Sequence, residues 1–323
     1  MKNTFDIVLL TALPASGKSE VRKFLTNVPS DKLMKDFHIG RNLQLDDFPY
    51  VHIMRRIDDE LSALGKNRLF FQSGDKPFIN PGDWGTLIHI INEDYRDLIN
   101  SRKEDVKSAG EWMMNKIERA AQKAKIEPRL GKLDRETFSK VAGKLEKESR
   151  DILNEKYAGY TDSFEGKTIV IEFARGGAHG SSMPLKEPFG YQYSFGQLDE
   201  EILKKAVILY IWVTPEESRR KNNARANPDD PGSILHHGVP IDVMMNDYGC
   251  DDMQWLYDNS RVKDTITVGK YHVPFARFDN RVDRTSFLRE DAAKWDAEKV
   301  KAVSDGIKSA TDRLYSIFAG SQK

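Results

Sequence analysis

The stretch that decides the fold is FDIVLLTALPASGKS, residues 5–19. Its first part is mostly apolar, which is typical of a strand covered on both faces. Residues 18–27 then change to helical spacing, with apolar side chains at Val21 and Phe24. The sequence therefore predicts a buried strand, a short loop and an amphipathic helix in direct succession.

The loop between strand and helix, residues 12–19, has the Walker A spacing, although Ala12 stands where glycine is usual. In such a loop, backbone N–H groups surround a phosphate and the N-terminus of the following helix adds its dipole. We expect Lys18 to reach the β and γ phosphates of a nucleotide and the Ser19 hydroxyl to bind Mg²⁺. The residues predicted to bind ATP are Leu13, Pro14, Ala15, Ser16, Gly17, Lys18 and Ser19.

Further apolar runs predict strands, and the segments between them are long enough for helices. Such alternation indicates an α/β fold with a mostly parallel sheet. Between these runs, apolar residues at helical spacing predict a helical insertion over residues 83–162, which leaves 1–82 and 163–323 as the α/β core. The predicted strands are Ile39–Leu45, Thr168–Phe173, Ala206–Val213 and Tyr271–Phe275, with a hairpin indicated between Thr265–Val268 and the last of them.

Composition limits the possible partners. The 50 basic and 50 acidic side chains give a formal net charge of zero, so no overall field attracts nucleic acid or an anionic membrane. No apolar stretch approaches the roughly 20 residues that span a bilayer, and the start of the chain lacks the features of a signal peptide. The single cysteine, Cys250, excludes an intrachain disulfide. We expect a soluble cytoplasmic protein, whose oligomeric state the sequence leaves open.

Residues 13–19, in this context, resemble the loop of the P-loop kinases of nucleosides, nucleotides and other small molecules. The resemblance implies a doubly wound α/β fold with a mostly parallel five-stranded sheet. It also implies ATP and Mg²⁺ as cofactors and a small molecule as the phosphoryl acceptor. The resemblance covers the sheet framework and not the insertion, near whose start we expect the acceptor pocket.

Two acidic residues, Asp46 and Asp47, directly follow the second predicted strand. Their position is similar to that of the acidic motif in the uridine kinase and glycerate kinase relatives of this superfamily. A carboxylate at that strand end can accept the proton of an attacking hydroxyl, so the resemblance implies that one of the two is the catalytic base. Alternatively, both residues cap the helix that follows.

Glu172 ends an apolar strand in the manner of a Walker B acid, whose carboxylate holds Mg²⁺ directly or through water. Arg175 follows it in a loop that contains several glycines. We expect this loop to be flexible enough for Arg175 to close on a phosphate or carboxylate of the substrate.

Residues 215–240 are polar and follow the fourth predicted strand, where the superfamily carries its lid. The resemblance implies that arginines of this lid, Arg219, Arg220 and Arg225, clamp the triphosphate and offset charge that develops during transfer. The alternative is that these cations form the exposed face of a surface helix.

The predicted activity is therefore the transfer of the γ-phosphoryl group of Mg·ATP to a hydroxyl or phosphate of a small molecule. One alternative is a P-loop ATPase or GTPase switch. The sequence contains no Asn-Lys-x-Asp motif, which GTPases use to bind guanine, and this disfavours the GTPase. Others are a nucleotide-sensing protein without an acceptor and a nucleic-acid end kinase, which the neutral net charge disfavours.

Overall fold

The computed structural model describes residues 3–225 and 238–321. These residues form an α/β fold around one sheet of six strands in the order β2-β3-β1-β4-β6-β5. All neighbours pair in parallel except β5 and β6, which form an antiparallel hairpin. The strands are β1 (Ile7–Thr11), β2 (Arg41–Asp46), β3 (Lys167–Phe173), β4 (Ala206–Trp212), β5 (Thr265–Val268) and β6 (Tyr271–Asp279).

Twelve α-helices connect and cover these strands in the described part of the chain. They are α1 (Lys18–Asn27), α2 (Ser30–Phe37), α3 (Phe48–Ala63), α4 (Asp83–Ile99), α5 (Ala109–Lys123), α6 (Arg135–Ala158), α7 (Gly190–Gly196), α8 (Glu200–Leu203), α9 (Pro215–Arg225), α10 (Ile241–Asn246), α11 (Met253–Asp258) and α12 (Ala297–Ser321).

The central strand β1 is buried along its whole length, and successive side chains point to opposite faces of the sheet. Ile7 and Leu9 pack into a core shared with α4 and α7. Val8 and Leu10 pack into a second core on the other face, which α1 and α12 complete. Helices therefore cover both faces of the sheet. Because both faces of β1 are buried, its sequence is a continuous apolar run.

The sequence correctly predicts an α/β fold with a mostly parallel sheet. The sheet has six strands rather than the five predicted, because the short β5 adds an antiparallel edge strand beside β6. The second strand also begins and ends later than predicted, at Arg41 and Asp46, so that Asp46 is its last residue. This shift brings the first acidic side chain of the pair into the sheet itself.

Residues 83–162 are helical, but their first helix has two buried faces. Trp84, Leu87 and Ile90 of α4 pack against α3, α5 and α6 in a third apolar cluster. Ile88 and Ile91 of the same helix belong to the core that covers the sheet. Helix α4 therefore joins the α/β core to the helical layer formed by α5 and α6.

Substitution of two glycines, one in α5 and one in α6, tests how closely these helices approach each other. A Cβ built on Gly110 of α5 would collide with the carbonyl oxygen of Ala142, whereas a Cβ on Gly143 of α6 would meet nothing within 4 Å. We expect Gly110→Ala to destabilise the protein by about 1 to 3 kcal/mol through overpacking. Gly143→Ala, its matched control, should stabilise by about 0.5 to 1 kcal/mol, because alanine is the better helix former.

Urea unfolding followed by circular dichroism measures both changes. Equal effects of the two substitutions would show that the close approach of the two helices is not real.

Candidate functional site

The 12–19 loop connects β1 to α1 through two residues with positive φ, Ala15 (54°) and Gly17 (105°). A Cβ on Gly17 would collide with Thr285 Oγ1 and would lie 2.9 Å from Asn280 Nδ2. Position 17 therefore requires glycine both for its backbone conformation and for the space available. Helix α1 begins at the next residue, Lys18, so its N-terminus opens directly on the loop.

Three side chains from elsewhere in the chain donate hydrogen bonds to backbone carbonyls of this loop. They lie in α7, in α9 and directly after β6. The bonds join Tyr191 Oη to Ala12 O (2.8 Å), Ser218 Oγ to Pro14 O (2.7 Å) and Asn280 Nδ2 to Ser16 O (2.7 Å). These three side chains therefore hold the loop in its conformation. Sequence analysis did not predict this role for any of them.

Three carboxylates meet beside the loop, at the carboxyl ends of β2 and β3. Asp46 is the register partner of Glu172 across the two strands, and Asp47 is the next residue. All three line one cleft together with Lys18. Arg22, on α1, donates to Glu172 Oε2 at 2.9 Å and lies 3.8 Å from Asp46 Oδ2. The predicted acidic residues are therefore brought together, and Arg22 is a further cation of the site that sequence analysis missed.

Burial and mutual repulsion oppose the ionisation of the two aspartate carboxylates. Burial, together with repulsion from Glu172 and Asp47, raises the pKa of Asp46 to about 8. Burial also raises the pKa of Asp47, but the Arg175 guanidinium opposes that shift. The Asp46 carboxyl is therefore largely protonated near neutral pH.

Asp46 and Asp47 point in different directions. Asp46 Oδ1 accepts a hydrogen bond from the Phe48 backbone N–H at 2.9 Å. Asp47, the N-cap residue of α3, makes no capping bond with its side chain. The capping alternative for the acidic pair therefore applies to Asp46, and the Asp47 carboxylate is turned into the interior.

Arg175 is the partner of Asp47, and its side chain is 1% exposed. Its Nη1 donates to Asp47 Oδ2 at 2.6 Å, its Nε donates to Ser194 Oγ at 3.0 Å, and its guanidinium lies over the Trp84 ring. The prediction of a flexible arginine that closes on substrate is wrong, because burial and this ion pair fix the side chain. Arg175 instead holds a carboxylate of the site in place.

The predicted lid is described only in part. Arg219 pairs with Glu216 (3.0 Å), and Arg220, whose side chain is 57% exposed, pairs with Glu217 (2.6 Å). Neither arginine is among the described residues that line the cleft. The side chain of Arg225 and residues 226–237 lie outside the described residues. Arg220 therefore behaves as a residue of a surface helix, whereas the side chain of Arg219 is 18% exposed and its Nη1 is buried without a partner among the described residues.

The cleft and the open solvent space at its mouth together measure about 1020 Å³. Besides the loop and the carboxylates, its lining contains aromatic side chains and two further charged ones, Arg55 and Asp247. The aromatic residues include Phe71, Phe78, Trp84 and Tyr248. Of the insertion at 83–162, only Trp84 lines the cleft, so α3, the 64–82 segment and the region around α10 supply most of the pocket expected from the insertion.

The 64–82 segment is held on α3 by Asp58, a buried carboxylate. Its two oxygens accept hydrogen bonds from the backbone N–H groups of Leu69, Phe70 and Phe71 at 2.6 to 3.2 Å. A carboxylate with several backbone donors is strongly bound in place. The position of Phe71 in the cleft is therefore fixed by the fold.

No protein-family model matches the sequence, and no curated protein or solved structure matches it either. Within residues 3–225 and 238–321, no three side chains of His, Cys, Asp or Glu are arranged to hold a metal ion. None of the helices in the same two ranges is long and apolar enough to cross a membrane.

The Arg175–Asp47 pair can be tested against an exposed pair. Arg175→Met leaves the Asp47 charge buried without a partner and should destabilise the protein by about 3 to 5 kcal/mol. Arg220→Met, which breaks an exposed pair, should cost less than about 1 kcal/mol. Adding Asp47→Asn to Arg175→Met removes the stranded charge and should recover part of the loss.

Chemical unfolding of the four proteins at one pH gives these differences. The buried pair has no structural role if Arg175→Met is as mild as Arg220→Met, or if Asp47→Asn recovers nothing in the Arg175→Met background.

Proposed function

We propose that the chain binds Mg·ATP at the 12–19 loop and transfers its γ-phosphoryl group to a hydroxyl of a small molecule held in the cleft. One observation carries this proposal: Lys18 and Ser19 line the same cleft as Asp46, Asp47 and Glu172. This grouping supports assignment to the P-loop kinase superfamily, with its doubly wound α/β fold. The residues of this cleft include an anion-binding loop, hard oxygen ligands and a candidate base.

The loop has the donors that a phosphate needs. No described residue accepts a hydrogen bond from the backbone N–H of Ser16 or Gly17, and the buried Ser16 hydroxyl is also without a partner in that part of the chain. Buried polar groups are rarely left in this state, because each one costs about 1 to 3 kcal/mol. A phosphate at the start of α1 would satisfy these donors, and Lys18 would add positive charge.

The residues present also fit Mg²⁺. The Ser19 hydroxyl and the carboxylates of Asp46 and Glu172 are hard oxygen ligands that line the same cleft, and a cation there would favour the ionised form of Asp46. In nucleotide sites Mg²⁺ takes only one or two protein ligands and completes its shell with phosphate oxygens and water. Bound there, Mg²⁺ would neutralise charge that develops on the phosphates.

Asp47 is the better candidate for the base. Burial raises the pKa of Asp47, which strengthens it as a proton acceptor, and the Arg175 hydrogen bond opposes that rise and fixes the direction of the carboxylate. The pKa of Asp46 is raised to about 8, so without a cation this group is largely protonated near neutral pH. Asp47 would accept the proton of the acceptor hydroxyl, and Asp46 would belong to the cation site.

The other predicted functions use the same loop but not the rest of the cleft. A switch ATPase or a nucleotide sensor has no need for an aromatic pocket beside the phosphate site. A nucleic-acid end kinase would need cations for a phosphate backbone, but Arg219 and Arg220 are paired with acids of their own helix. The cleft therefore favours transfer to a small molecule.

Lys18→Ala tests nucleotide binding. The substitution removes the only lysine that lines the cleft in the described part of the chain, so calorimetric affinity for Mg²⁺ with a non-hydrolysable ATP analogue should fall at least 100-fold. Lys35→Ala, at an exposed position on α2, is the control and should bind as the wild type does. If both variants bound the analogue with equal affinity, the 12–19 loop would not be the nucleotide-binding site.

Asp47→Asn tests the transfer step. Transfer of label from γ-³²P-ATP to a mixture of polar metabolites should fall at least 100-fold, while nucleotide affinity stays within about threefold. Asp105→Asn, at an exposed position in a loop, is the control. Labelled inorganic phosphate as the sole product of the wild type would favour an ATPase, and full activity of Asp47→Asn would eliminate Asp47 as the base.

A further inference from the structure

Lys221 on α9 is a buried cation outside the cleft. Its side chain is 1% exposed, and it is not among the described residues that line the cleft. Its Nζ donates to Thr285 Oγ1 at 3.2 Å and lies 2.9 Å from Asp283 Oδ1. Burying a lysine is costly even when it is paired, so its retention must be explained by the groups that it holds.

Asp283 is the anion that keeps Lys221 in place. Its Oδ1 also accepts hydrogen bonds from the backbone N–H groups of Thr285 and Ser286, at 3.2 and 3.1 Å. Burial opposes the ionisation of Asp283, but hydrogen bonds from Ser286 and Lys221 hold the pKa of its carboxyl well below the usual range. The carboxylate is therefore ionised near neutral pH, and it fixes the turn that carries Thr285.

The Thr285 side chain is packed against the 12–19 loop. It is fully buried, and a Cβ built on Gly17 would lie 2.4 Å from its Oγ1. The same oxygen accepts a hydrogen bond from Asn280 Nδ2 at 2.9 Å, and that amide also donates to Ser16 O at 2.7 Å. A chain of contacts thus runs from the ammonium of Lys221, through the Thr285 hydroxyl, to the loop.

Gly17 is the loop residue that most needs such support. Its φ of 105° suits glycine, but glycine also has more alternative conformations than any other residue. If the backbone turned at this position, the N–H groups of Ser16 and Gly17 would no longer point toward a common anion. Contact with Thr285 restricts these alternatives, so the loop is prepared before a ligand binds.

We propose that Lys221 is a positioning residue for the nucleotide. By holding the Thr285 side chain against Gly17, it keeps the loop in the conformation that binds phosphate, although it touches no ligand itself. This inference rests on the proposed binding of Mg·ATP at the 12–19 loop. It gives α9 a part in the site that differs from the one expected of its arginines, because Lys221 acts from outside the cleft.

Lys221→Met tests this role. The substitution keeps most of the side-chain volume and removes the ammonium, so Thr285 Oγ1 loses one of its two donors and Asp283 loses its partner. Calorimetric affinity for Mg²⁺ with a non-hydrolysable ATP analogue should fall about tenfold or more, because the loop is no longer prepared for phosphate. An affinity within about threefold of the wild-type value would overturn the inference.

Lys116→Met is the matched control for a general loss of stability. Lys116 on α5 is also a fully buried lysine, and its Nζ lies 2.9 Å from Glu93 Oε1 and 3.1 Å from Asp94 Oδ1. Urea unfolding should show that both lysine substitutions destabilise the protein. Only Lys221→Met should weaken nucleotide binding. An equal loss of affinity in both variants would mean that loosening of the whole fold is the cause, and the inference would be wrong.

A double-mutant cycle with Thr285→Val tests whether Lys221 acts through Thr285. Valine has nearly the shape of threonine but accepts no hydrogen bond, so Lys221 can no longer hold this side chain. Thr285→Val alone should weaken nucleotide binding about fivefold or more, and adding Lys221→Met should weaken it by no more than about twofold further. Full additivity of the two losses would contradict the proposed path and overturn the inference.

The outcomes separate this inference from the proposed function. If the wild-type chain does not bind the ATP analogue, the proposed function is wrong and the inference that rests on it is wrong as well. If the wild type binds but Lys221→Met and Thr285→Val bind equally well, only the inference is overturned. If Lys221→Met does not fold, Thr285→Val decides alone, because it leaves the ion pair of Lys221 with Asp283 intact. Weaker binding then supports the inference, and unchanged binding overturns it.

Discussion

The parallel register of β2 and β3 is the constraint on which the site depends. It places Asp46 beside Glu172 at the carboxyl ends of neighbouring strands, and the chain continues at once into Asp47. Like charges this close oppose one another's ionisation, and burial strengthens the effect. The fold compensates in part with Arg22 and Arg175, which approach the cluster from α1 and from the loop after β3. The carboxyl whose ionisation remains most disfavoured is that of Asp46.

Arg175 also connects Asp47 with the aromatic lining of the cleft. Its guanidinium binds Asp47 and lies over the ring of Trp84, which belongs to this lining. A change in the packing of Trp84 would therefore alter the direction of the Asp47 carboxylate. The direction of the Asp47 carboxylate and the packing of Trp84 in the cleft are thus linked through one buried side chain, which makes the geometry at the two places interdependent.

Local patterns predicted the framework and failed where distant segments meet. The apolar run of β1 and the spacing of residues 12–19 are local, so the strand, loop and helix could be inferred. Arg175 and Asp47 are 128 positions apart, and no local pattern distinguishes a buried, paired arginine from a flexible one. Arg55 and Asp247 also line the cleft together although they belong to separate elements, so sequence spacing could not predict that they share it. The four-residue strand β5 was indicated as part of a hairpin but was not counted in the sheet.

Several buried polar groups lack a hydrogen-bond partner among the described residues, and the rest of the fold must offset their cost. Buried side-chain atoms without a hydrogen-bond partner also occur away from the cleft, for example in Asn42, Ser149 and Tyr160, so such groups are not confined to it. Among the described residues, the Ser16 hydroxyl is the one of these atoms that lines the cleft, at the start of α1 beside Lys18. An anion bound at the start of α1 would satisfy this hydroxyl. The well-packed cores on both faces of the sheet can sustain the cost of these groups, because each unsatisfied group takes only about 1 to 3 kcal/mol from the stability of the folded state.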